Sequence, residues 1–211
     1  MNPTLRAIVL AFSLLLIAIH PIILNSVMTL NPATDSNYQT AYFAGGCFWC
    51  MEPVFDSIEG VTDTISGYMG GTAQTANYSD VSAGITSHKE SIQVVYDPTT
   101  VDYATLLNAF WRSIDPTDPN GQFADQAPHY QTAIFYQSDH EQQLAQQSKD
   151  ALIELNKFSN PIVTEIIPAT EFYPAEEYHQ NYYKKNTMHY NAYKIGSGRA
   201  GFLNQLWGNN D

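Results

Sequence analysis

The sequence has little basic charge and only two cysteines. Nine lysines and arginines stand against 21 aspartates and glutamates in 211 residues, which gives a formal net charge of −12. A nucleic-acid-binding protein usually presents a basic face, so this balance argues against that class. Two cysteines cannot build the dense disulfide framework of a small secreted domain, and a chain of this length can bury a core without one. The cysteines therefore indicate a chemical role.

An apolar segment at the N-terminus differs from the rest of the chain. Residues 7–19 are almost purely apolar after a short start that carries Arg6, and residues 22–30 continue the pattern more weakly. The segment lacks the polar face of an amphipathic core helix. It predicts a signal peptide or a membrane anchor over residues 1–30, although no clear small-residue cleavage site follows. We expect an exported protein that is periplasmic, secreted or membrane-anchored outside the cytoplasm.

The remaining sequence predicts one domain of alternating strands and helices. Residues 31–39 are polar and rich in turn formers, which is typical of a linker, and the domain follows over residues 40–211. Strand-like patterns cover residues 41–44, 61–69, 90–96, 132–136 and 162–167, and helical spacing covers residues 47–57, 100–113 and 138–155. Residues 70–87 and 115–128 are predicted as long loops, and the tail from residue 196 is rich in glycine and asparagine. The pattern favours an α+β or mixed α/β fold in two layers.

Both cysteines lie at the predicted start of a helix, directly after two glycines. The stretch is Gly45-Gly46-Cys47-Phe48-Trp49-Cys50. Glycines permit a tight turn and the close approach of another molecule. A cysteine in the first helical turn faces free N–H groups and the positive end of the helix dipole, which would stabilise a thiolate and lower the thiol pKa. Cys47 is therefore predicted to be a reactive nucleophile.

The C-x-x-C spacing by itself leaves more than one chemistry open. A structural zinc site usually needs four cysteine or histidine ligands, and no second pair exists here. A purely structural disulfide between Cys47 and Cys50 would close too small a loop to add much stability. A thioredoxin-like thiol–disulfide oxidoreductase and an enzyme that reduces another substrate both fit the motif.

The longer sequence pattern resembles the A-type peptide methionine sulfoxide reductase family. The stretch Gly-Cys-Phe-Trp at residues 46–49 is similar to the active-site motif of that family. Further matches follow in order: residues 67–71 Gly-Tyr-Met-Gly-Gly, 77–81 Asn-Tyr-Ser-Asp-Val, 87–91 Ser-His-Lys-Glu-Ser, 94–98 Val-Val-Tyr-Asp-Pro, 115–117 Asp-Pro-Thr, 122–125 Gln-Phe-Ala-Asp, 130–134 Tyr-Gln-Thr-Ala-Ile and 178–180 Tyr-His-Gln. The resemblance covers about residues 41–195.

This resemblance implies a fold and a reaction. We predict an α+β fold: a two-layer α/β sandwich with a ferredoxin-like core, extra strands and long loops. The implied activity is the reduction of methionine S-sulfoxide, free or in oxidised proteins and peptides, to methionine. No metal or organic cofactor is implied, and we expect a monomer that contacts a membrane only through its N-terminal segment. A sulfoxide-binding module without catalysis is the rival from another class, but it would not need this set of reactive residues.

The resemblance also implies roles for individual residues. Cys47 is the nucleophile, and Glu90 is the acid that protonates the sulfoxide oxygen, with a pKa raised by burial among aromatic side chains. Tyr78 and Tyr130 donate hydrogen bonds to that oxygen. The implied substrate-binding residues are Phe48 and Trp49 around the S-methyl group, Asp125 at the backbone amide of the substrate, and Gly46. For His88 and His179 we expect structural hydrogen bonding.

The second cysteine departs from a common family pattern. Many relatives carry glycine where Cys50 stands and place resolving cysteines in the C-terminal tail, whereas residues 196–211 here contain none. Attack on the sulfoxide leaves Cys47 as a sulfenic acid, which a thiol converts to a disulfide. We predict that Cys50 resolves it as a Cys47–Cys50 disulfide, with direct attack by an external thiol as the alternative. Thioredoxin, or a thioredoxin-like donor outside the cytoplasm, is the implied reductant.

Overall fold

The computed structural model describes residues 37–208, so the predicted signal or anchor over residues 1–30 and most of the linker lie outside the described residues. The strands are β1 (Gln39–Ala44), β2 (Val61–Met69), β3 (Lys89–Tyr96), β4 (Ala133–Tyr136), β5 (Glu165–Pro168) and β6 (Tyr173–Pro174). The helices are α1 (Phe48–Asp56), α2 (Tyr78–Ser82), α3 (Tyr103–Trp111), α4 (Asp139–Glu154), α5 (Tyr182–Lys185), α6 (Thr187–Gly196) and α7 (Arg199–Trp207). Within this range, no helix is both long and apolar enough to cross a membrane.

The strands form one mixed sheet in the order β5-β4-β1-β3-β2-β6. The four central strands pair antiparallel, with Phe43 of β1 opposite Ile92 of β3 and Tyr68 of β2 opposite Glu90 of β3. In chain order these strands and their crossover helices read β1-α1-β2-β3-α3-β4. This arrangement is the predicted ferredoxin-like core. The extra strands extend it at both edges, β5 parallel to β4 and β6 antiparallel to β2.

The two faces of the sheet bury different sets of side chains because successive residues of a strand point to opposite sides. On β1, Ala41 and Phe43 join the main core, while Tyr42 and Ala44 belong to a smaller cluster on the other face. Phe43 stacks on aromatic rings of α1 and α3, with ring centroids 5.0 Å from Phe55 and 5.2 Å from Phe110. These contacts hold α1, which carries the cysteines, against the sheet.

Local signals in the sequence set several helix ends. The Ser138 side chain accepts a hydrogen bond from the Glu141 N–H at 3.2 Å, so the predicted cap of α4 is present. The apolar face predicted for α3 is buried as Leu106, Leu107, Phe110 and Trp111.

Two segments contain more structure than the sequence pattern predicted. Residues 70–87, expected to be a loop, include a 3-10 turn and the short helix α2, which Asn77 caps by accepting from the Asp80 N–H. The C-terminal region forms α5, α6 and α7 rather than an irregular tail. These helices are short and pack on the rest of the protein, and such tertiary packing stabilises helices that local propensity alone does not predict.

Candidate active site

A small cavity of about 70 Å³ lies at the start of α1. Its lining side chains come from α1, β3, the α2 region, the loops after α3 and the C-terminal helices: Cys47, Phe48, Trp49, Tyr78, Glu90, Asp125, Tyr130 and Tyr193. All of these except Tyr193 were predicted as site residues from the sequence. The structure therefore brings together predicted residues that are up to 83 positions apart, from Cys47 to Tyr130.

Cys47 is positioned by the glycines that precede it. Gly46 has φ of +81°, a conformation that side-chain-bearing residues seldom adopt. A Cβ atom at Gly46 would lie 2.7 Å from Cβ of Gln122 and 2.9 Å from a guanidinium nitrogen of Arg199. Gly46, predicted as a substrate-binding residue, does not line the cavity. It lies beneath the site, where its positive φ allows a tight turn that directs Cys47 toward the cavity.

The Cys47 thiol is buried, and its pKa is therefore shifted opposite to the direction expected at a helix start. Cys47 occupies the N-cap of α1, but its side chain accepts no hydrogen bond from the helix. Burial raises the pKa of Cys47 well above its ordinary value, and the hydrogen bond with Cys50 and the charge of Glu90 act in the same direction. The expectation of a lowered pKa was wrong because loss of solvation outweighs the helix dipole here.

Cys50 lies behind Cys47 rather than in the cavity wall. Both cysteines are free thiols, and Cys50 is 4% exposed. Its backbone N–H donates to the Cys47 carbonyl at 3.0 Å, one turn into the helix. The hydrogen bond between the two thiols lowers the pKa of Cys50 to about 7, and the positive charge of Arg199 contributes to the decrease. Cys50 is thus the more acidic sulfur of the pair.

Glu90 is the buried acid of the site. Its side chain, on β3, is 2% exposed, and its Oε2 accepts a hydrogen bond from the Phe48 N–H at 3.0 Å. Burial raises the pKa of Glu90 to about 8, as predicted, although the bond from Phe48 opposes the shift. Glu90 therefore carries a proton at neutral pH and faces the cavity that contains Cys47.

The two predicted tyrosines supply hydroxyl groups that stay protonated. Burial raises the pKa of Tyr78 and of Tyr130 above the ordinary value, and the charge of Glu90 adds to both shifts. Glu176 fixes the start of α2, because its carboxylate accepts from the Tyr78 N–H and from the Tyr68 hydroxyl, each at 2.8 Å. Both hydroxyls are therefore available as donors toward an oxygen atom in the cavity.

An aromatic wall closes one side of the cavity. The Trp49 indole N–H donates to Nδ1 of His179 at 3.1 Å, and its ring stacks on Tyr182 with centroids 3.8 Å apart. The His179 ring also lies 4.9 Å from the ring of Phe48 and 4.5 Å from that of Tyr78. His179 thus has the structural hydrogen-bonding role that was expected of it.

A buried carboxyl on α1 supports the same wall from below. Glu52 is fully buried, and its Oε1 accepts from the Asn181 N–H at 3.0 Å. Asn181 has φ of +53° and directly precedes Tyr182, the stacking partner of Trp49. Burial raises the pKa of Glu52 to about 7. Glu52 therefore fixes the turn that holds the aromatic stack.

Two residues of the site were not predicted from the sequence. Tyr193 on α6 lines the cavity, and its hydroxyl donates to a carboxylate oxygen of Asp125. Tyr193 also opposes the rise in the pKa of Cys47. Arg199 at the start of α7 donates to the Gly45 carbonyl at 2.9 Å, directly beneath the cysteine loop. The density of tyrosines in residues 170–195 was a signal, but only the packing of α6 shows which tyrosine reaches the site.

The arrangement combines a sulfur nucleophile, a protonated carboxyl and hydroxyl donors in a small, mostly aromatic cavity. A compound with an electrophilic sulfur and a basic oxygen could be attacked at sulfur by Cys47 and protonated at oxygen by Glu90. The small volume suits a short group such as a methyl sulfoxide more closely than a protein disulfide. The geometry thus favours sulfoxide reduction among the alternatives that the C-x-x-C motif left open.

The comparisons with known proteins agree with this geometry. The family model for peptide methionine sulfoxide reductase matches residues 39–211. The peptide methionine sulfoxide reductase MsrA of Bacillus subtilis is 48% identical over 170 residues, which cover 81% of this chain and 96% of the relative. The protein of the same name from Listeria monocytogenes is 45% identical over 174 residues, which cover 82% of this chain and 98% of the relative.

Solved structures of similar proteins share the fold. Reduced Mxr1 from Saccharomyces cerevisiae superposes with a TM-score of 0.68 at 31% identity, and covers 72% of this chain and 88% of that one. Methionine sulfoxide reductase A of Corynebacterium diphtheriae gives a TM-score of 0.65 at 31% identity, and covers 73% of this chain and 77% of that one. From the site geometry, the matched family model and these relatives, the chain belongs to the peptide methionine sulfoxide reductase family.

Proposed function

We propose that the protein reduces methionine S-sulfoxide, free and in oxidised proteins, to methionine, and so acts as a peptide-methionine (S)-S-oxide reductase. The single observation that carries the proposal is the cavity in which the Cys47 sulfur, the Glu90 carboxyl and the hydroxyls of Tyr78 and Tyr130 meet. The family relationship supplies the substrate class. A thioredoxin-like exchange of disulfides would not require the acid and the hydroxyl donors.

The first chemical step transfers oxygen from substrate to enzyme. Glu90 donates its proton to the sulfoxide oxygen while the Cys47 thiolate attacks the sulfoxide sulfur. The oxygen then leaves the substrate with its proton and remains on Cys47 as a sulfenic acid, and methionine departs. The negative charge moves from Cys47 to Glu90, so atoms and charge balance. A protonated Glu90 also removes the charge that otherwise opposes ionisation of Cys47.

Tyr78 and Tyr130 stabilise the developing charge on the sulfoxide oxygen. Each neutral hydroxyl donates one hydrogen bond, and such donors act most strongly in a cavity from which water is excluded. Phe48 and Trp49 enclose the S-methyl group, since the wall that they form is apolar and fixed by stacking. Asp125 lies at the cavity edge, where its carboxylate can accept from the backbone amide of the substrate methionine.

Cys50 resolves the sulfenic acid. It is the thiol next to Cys47 within the described residues, and its lowered pKa provides thiolate at neutral pH. The product is a Cys47–Cys50 disulfide, which an external dithiol must reduce before the next turnover. We assign that role to thioredoxin or a thioredoxin-like protein, reached outside the cytoplasm if residues 1–30 direct export. The protein acts as a monomer in this proposal, with any membrane contact made by residues 1–30.

A turnover assay tests the reaction. The purified protein is incubated with dithiothreitol and each epimer of methionine sulfoxide, and in parallel with a protein disulfide. We expect methionine from the S epimer and little from the R epimer, and no gain in disulfide reduction over dithiothreitol alone. A Cys47→Ser variant is the control for uncatalysed reduction. Disulfide reduction without methionine formation would refute the proposal and favour the thiol–disulfide oxidoreductase.

Localisation needs a separate measurement. N-terminal sequencing of the protein from soluble and membrane fractions would detect removal of residues 1–30. A shortened soluble protein supports a signal peptide, and a full-length membrane-bound protein supports an anchor. A full-length protein in the cytoplasmic fraction would contradict export.

A further inference from the structure

Arg199 is a buried positive charge that has no carboxylate partner. It is 3% exposed. Its guanidinium donates to the carbonyls of Ser113 at 2.6 Å and Gly45 at 2.9 Å, and it contacts Sδ of Met51 at 3.7 Å. Within residues 37–208, no aspartate or glutamate oxygen lies within 4.0 Å of it. A buried charge that is compensated only by neutral groups is costly, so the protein must gain something from placing it there.

The guanidinium lies directly under the loop that carries both cysteines. Its partner Gly45 precedes Gly46 and Cys47, and its partner Met51 follows Cys50 on α1. The charge also sits over the Phe123 ring, 4.7 Å from the centroid, which shields it from solvent on that side. In such surroundings, a charge acts over longer distances than it would at the surface.

We propose that Arg199 is the counter-charge of the Cys50 thiolate and thereby sets the pH range in which Cys50 resolves the Cys47 sulfenic acid. The proposal rests on the proposed function for the source of the sulfenic acid. In the step itself, the Cys50 thiolate attacks Sγ of Cys47, and the S–S bond forms as the S–O bond breaks. Hydroxide leaves and takes a proton from solvent to become water. Arg199 takes no part in the bonds that form or break in this step. It acts as a positioning residue.

Several ionisable groups surround Cys50, and only one of them is a buried cation. The groups whose charges act on Cys50 or are acted on by it come from five parts of the fold: Cys47 on α1, Glu90 on β3, Asp125 in the loop after α3, Tyr190 and Lys194 on α6, and Arg199 on α7. Lys194 is exposed, so water and salt screen its charge. The charge of Asp125 raises the pKa of Cys50, and Arg199 opposes it.

Two unusual features of this chain are linked through Arg199. The tail has no resolving cysteine, and the helix formed in its place instead carries Arg199 at its first position. The resolving thiol therefore lies in α1, and the C-terminal segment supplies the charge that activates it.

Two substitutions separate the charge of Arg199 from its hydrogen bonds. Arg199→Gln retains N–H donors but removes the charge, whereas Arg199→Lys retains the charge. Arg112→Gln is the matched control, because Arg112 is exposed and lies on the far end of α3. The rates of sulfenic acid formation and of disulfide formation are measured separately from pH 5 to 10, by quenched single turnover and mass spectrometry.

We expect Arg199→Gln to move the midpoint of disulfide formation up by about one pH unit, which slows that step about tenfold below the midpoint. Arg199→Lys and Arg112→Gln should keep the wild-type midpoint. An unchanged midpoint in Arg199→Gln would overturn the proposal. Equal slowing of both steps at every pH would also overturn it, because it would identify Arg199 as a clamp for the loop and nothing more.

A second measurement does not depend on sulfoxide reduction. In Cys47→Ser protein, with Arg199 retained or replaced by Gln or Lys, alkylation of Cys50 by iodoacetamide is followed against pH. Burial raises the pKa of Cys50 in all three proteins, so the counter-charge predicts a midpoint in Cys47→Ser that lies below that of Cys47→Ser/Arg199→Gln and close to that of Cys47→Ser/Arg199→Lys. Equal midpoints with Arg and Gln at position 199 would refute the role of Arg199 while leaving the proposed reaction intact. Loss of methionine formation in the wild type, with the lower midpoint retained, would instead contradict the proposed function alone.

Discussion

Replacing Glu90 with glutamine removes the proton that the proposed mechanism delivers to the sulfoxide oxygen. Glutamine has nearly the same shape and can still accept the hydrogen bond from the Phe48 N–H, so the start of α1 should keep its position. Loss of a general acid typically slows the chemical step by about 10² to 10⁴-fold. We expect the single-turnover rate of methionine formation to fall within that range and substrate binding to change little.

The pH dependence of the rate identifies the acid more specifically. The first step needs a protonated Glu90 and an ionised Cys47; Glu90 titrates at about 8, whereas burial raises the pKa of Cys47 well above its ordinary value. The wild-type rate should therefore rise with pH up to about 8 and then level off, because each further gain in Cys47 thiolate is offset by the loss of the Glu90 proton. Glu90→Gln should lose this break near pH 8, and its Cys47 should ionise at a lower pH because the negative charge of Glu90 no longer opposes it.

The same substitution changes stability in a predictable direction. An unfolded glutamate loses its proton at about pH 4.3, whereas the folded protein holds the Glu90 proton up to about 8. Between these values the folded state binds the extra proton, so stability falls as pH rises and the loss is complete above about 8. The full shift corresponds to about 5 kcal/mol at most. Glu90→Gln removes this loss, so it should be more stable than wild type at pH 9 and similar at pH 5.

Quenched-flow methionine formation and thermal unfolding at pH 5 and pH 9 measure the two effects. Glu59→Gln is the control, since Glu59 is exposed and lies outside the cavity. It should reproduce wild-type rates and melting temperatures. Wild-type rates in Glu90→Gln, or a wild-type profile with no break near pH 8, would refute the assignment of Glu90 as the acid.

Three further predictions concern the neighbouring residues. Cys50→Ser should leave a Cys47 sulfenic acid after one turnover without reductant, seen by mass spectrometry; a persistent sulfenic acid with a free Cys50 thiol in the wild type would contradict the resolving role of Cys50. Tyr78→Phe should slow single-turnover methionine formation about tenfold, the value of one lost hydrogen bond of about 1.4 kcal/mol, and an unchanged rate would remove Tyr78 from the mechanism. Gly46→Ala should lower the free energy of unfolding by about 2 kcal/mol or more, since a Cβ would meet Gln122 at 2.7 Å. Gly84→Ala has a similar positive φ with no atom within 4 Å of the added Cβ, so denaturant unfolding should show a loss of only about 1 kcal/mol there; equal losses would exclude the contact.

The central part of the fold could be predicted because its sequence signals are local. Alternating burial over residues 92–96 of β3 and the apolar face of α3 have the period of the element that they form. The C-terminal helices gave no such signal. In α6 only Tyr190 is buried, and in α7 only Arg199, so neither helix has an apolar stripe that the sequence would reveal.

Site prediction succeeded for residues in recognisable motifs and failed for those placed by packing alone. Cys47, Glu90, Tyr78 and Tyr130 could be found from the family resemblance, and the structure places them around one cavity. The ionisation of Cys47 was predicted in the wrong direction, because its burial depends on elements far away in the sequence.

The sequence by itself determined the reactive cysteine, its family and the absence of a cysteine in the tail. These are properties of residue identity and spacing, and they need no knowledge of distant contacts. Only the tertiary structure decided which tyrosine of the C-terminal region reaches Cys47, how far burial shifts the pKa values of Cys47 and Glu90, and where Arg199 lies. Solvation and charge interactions depend on distances between residues that are remote along the chain, and these distances exist only in the folded protein.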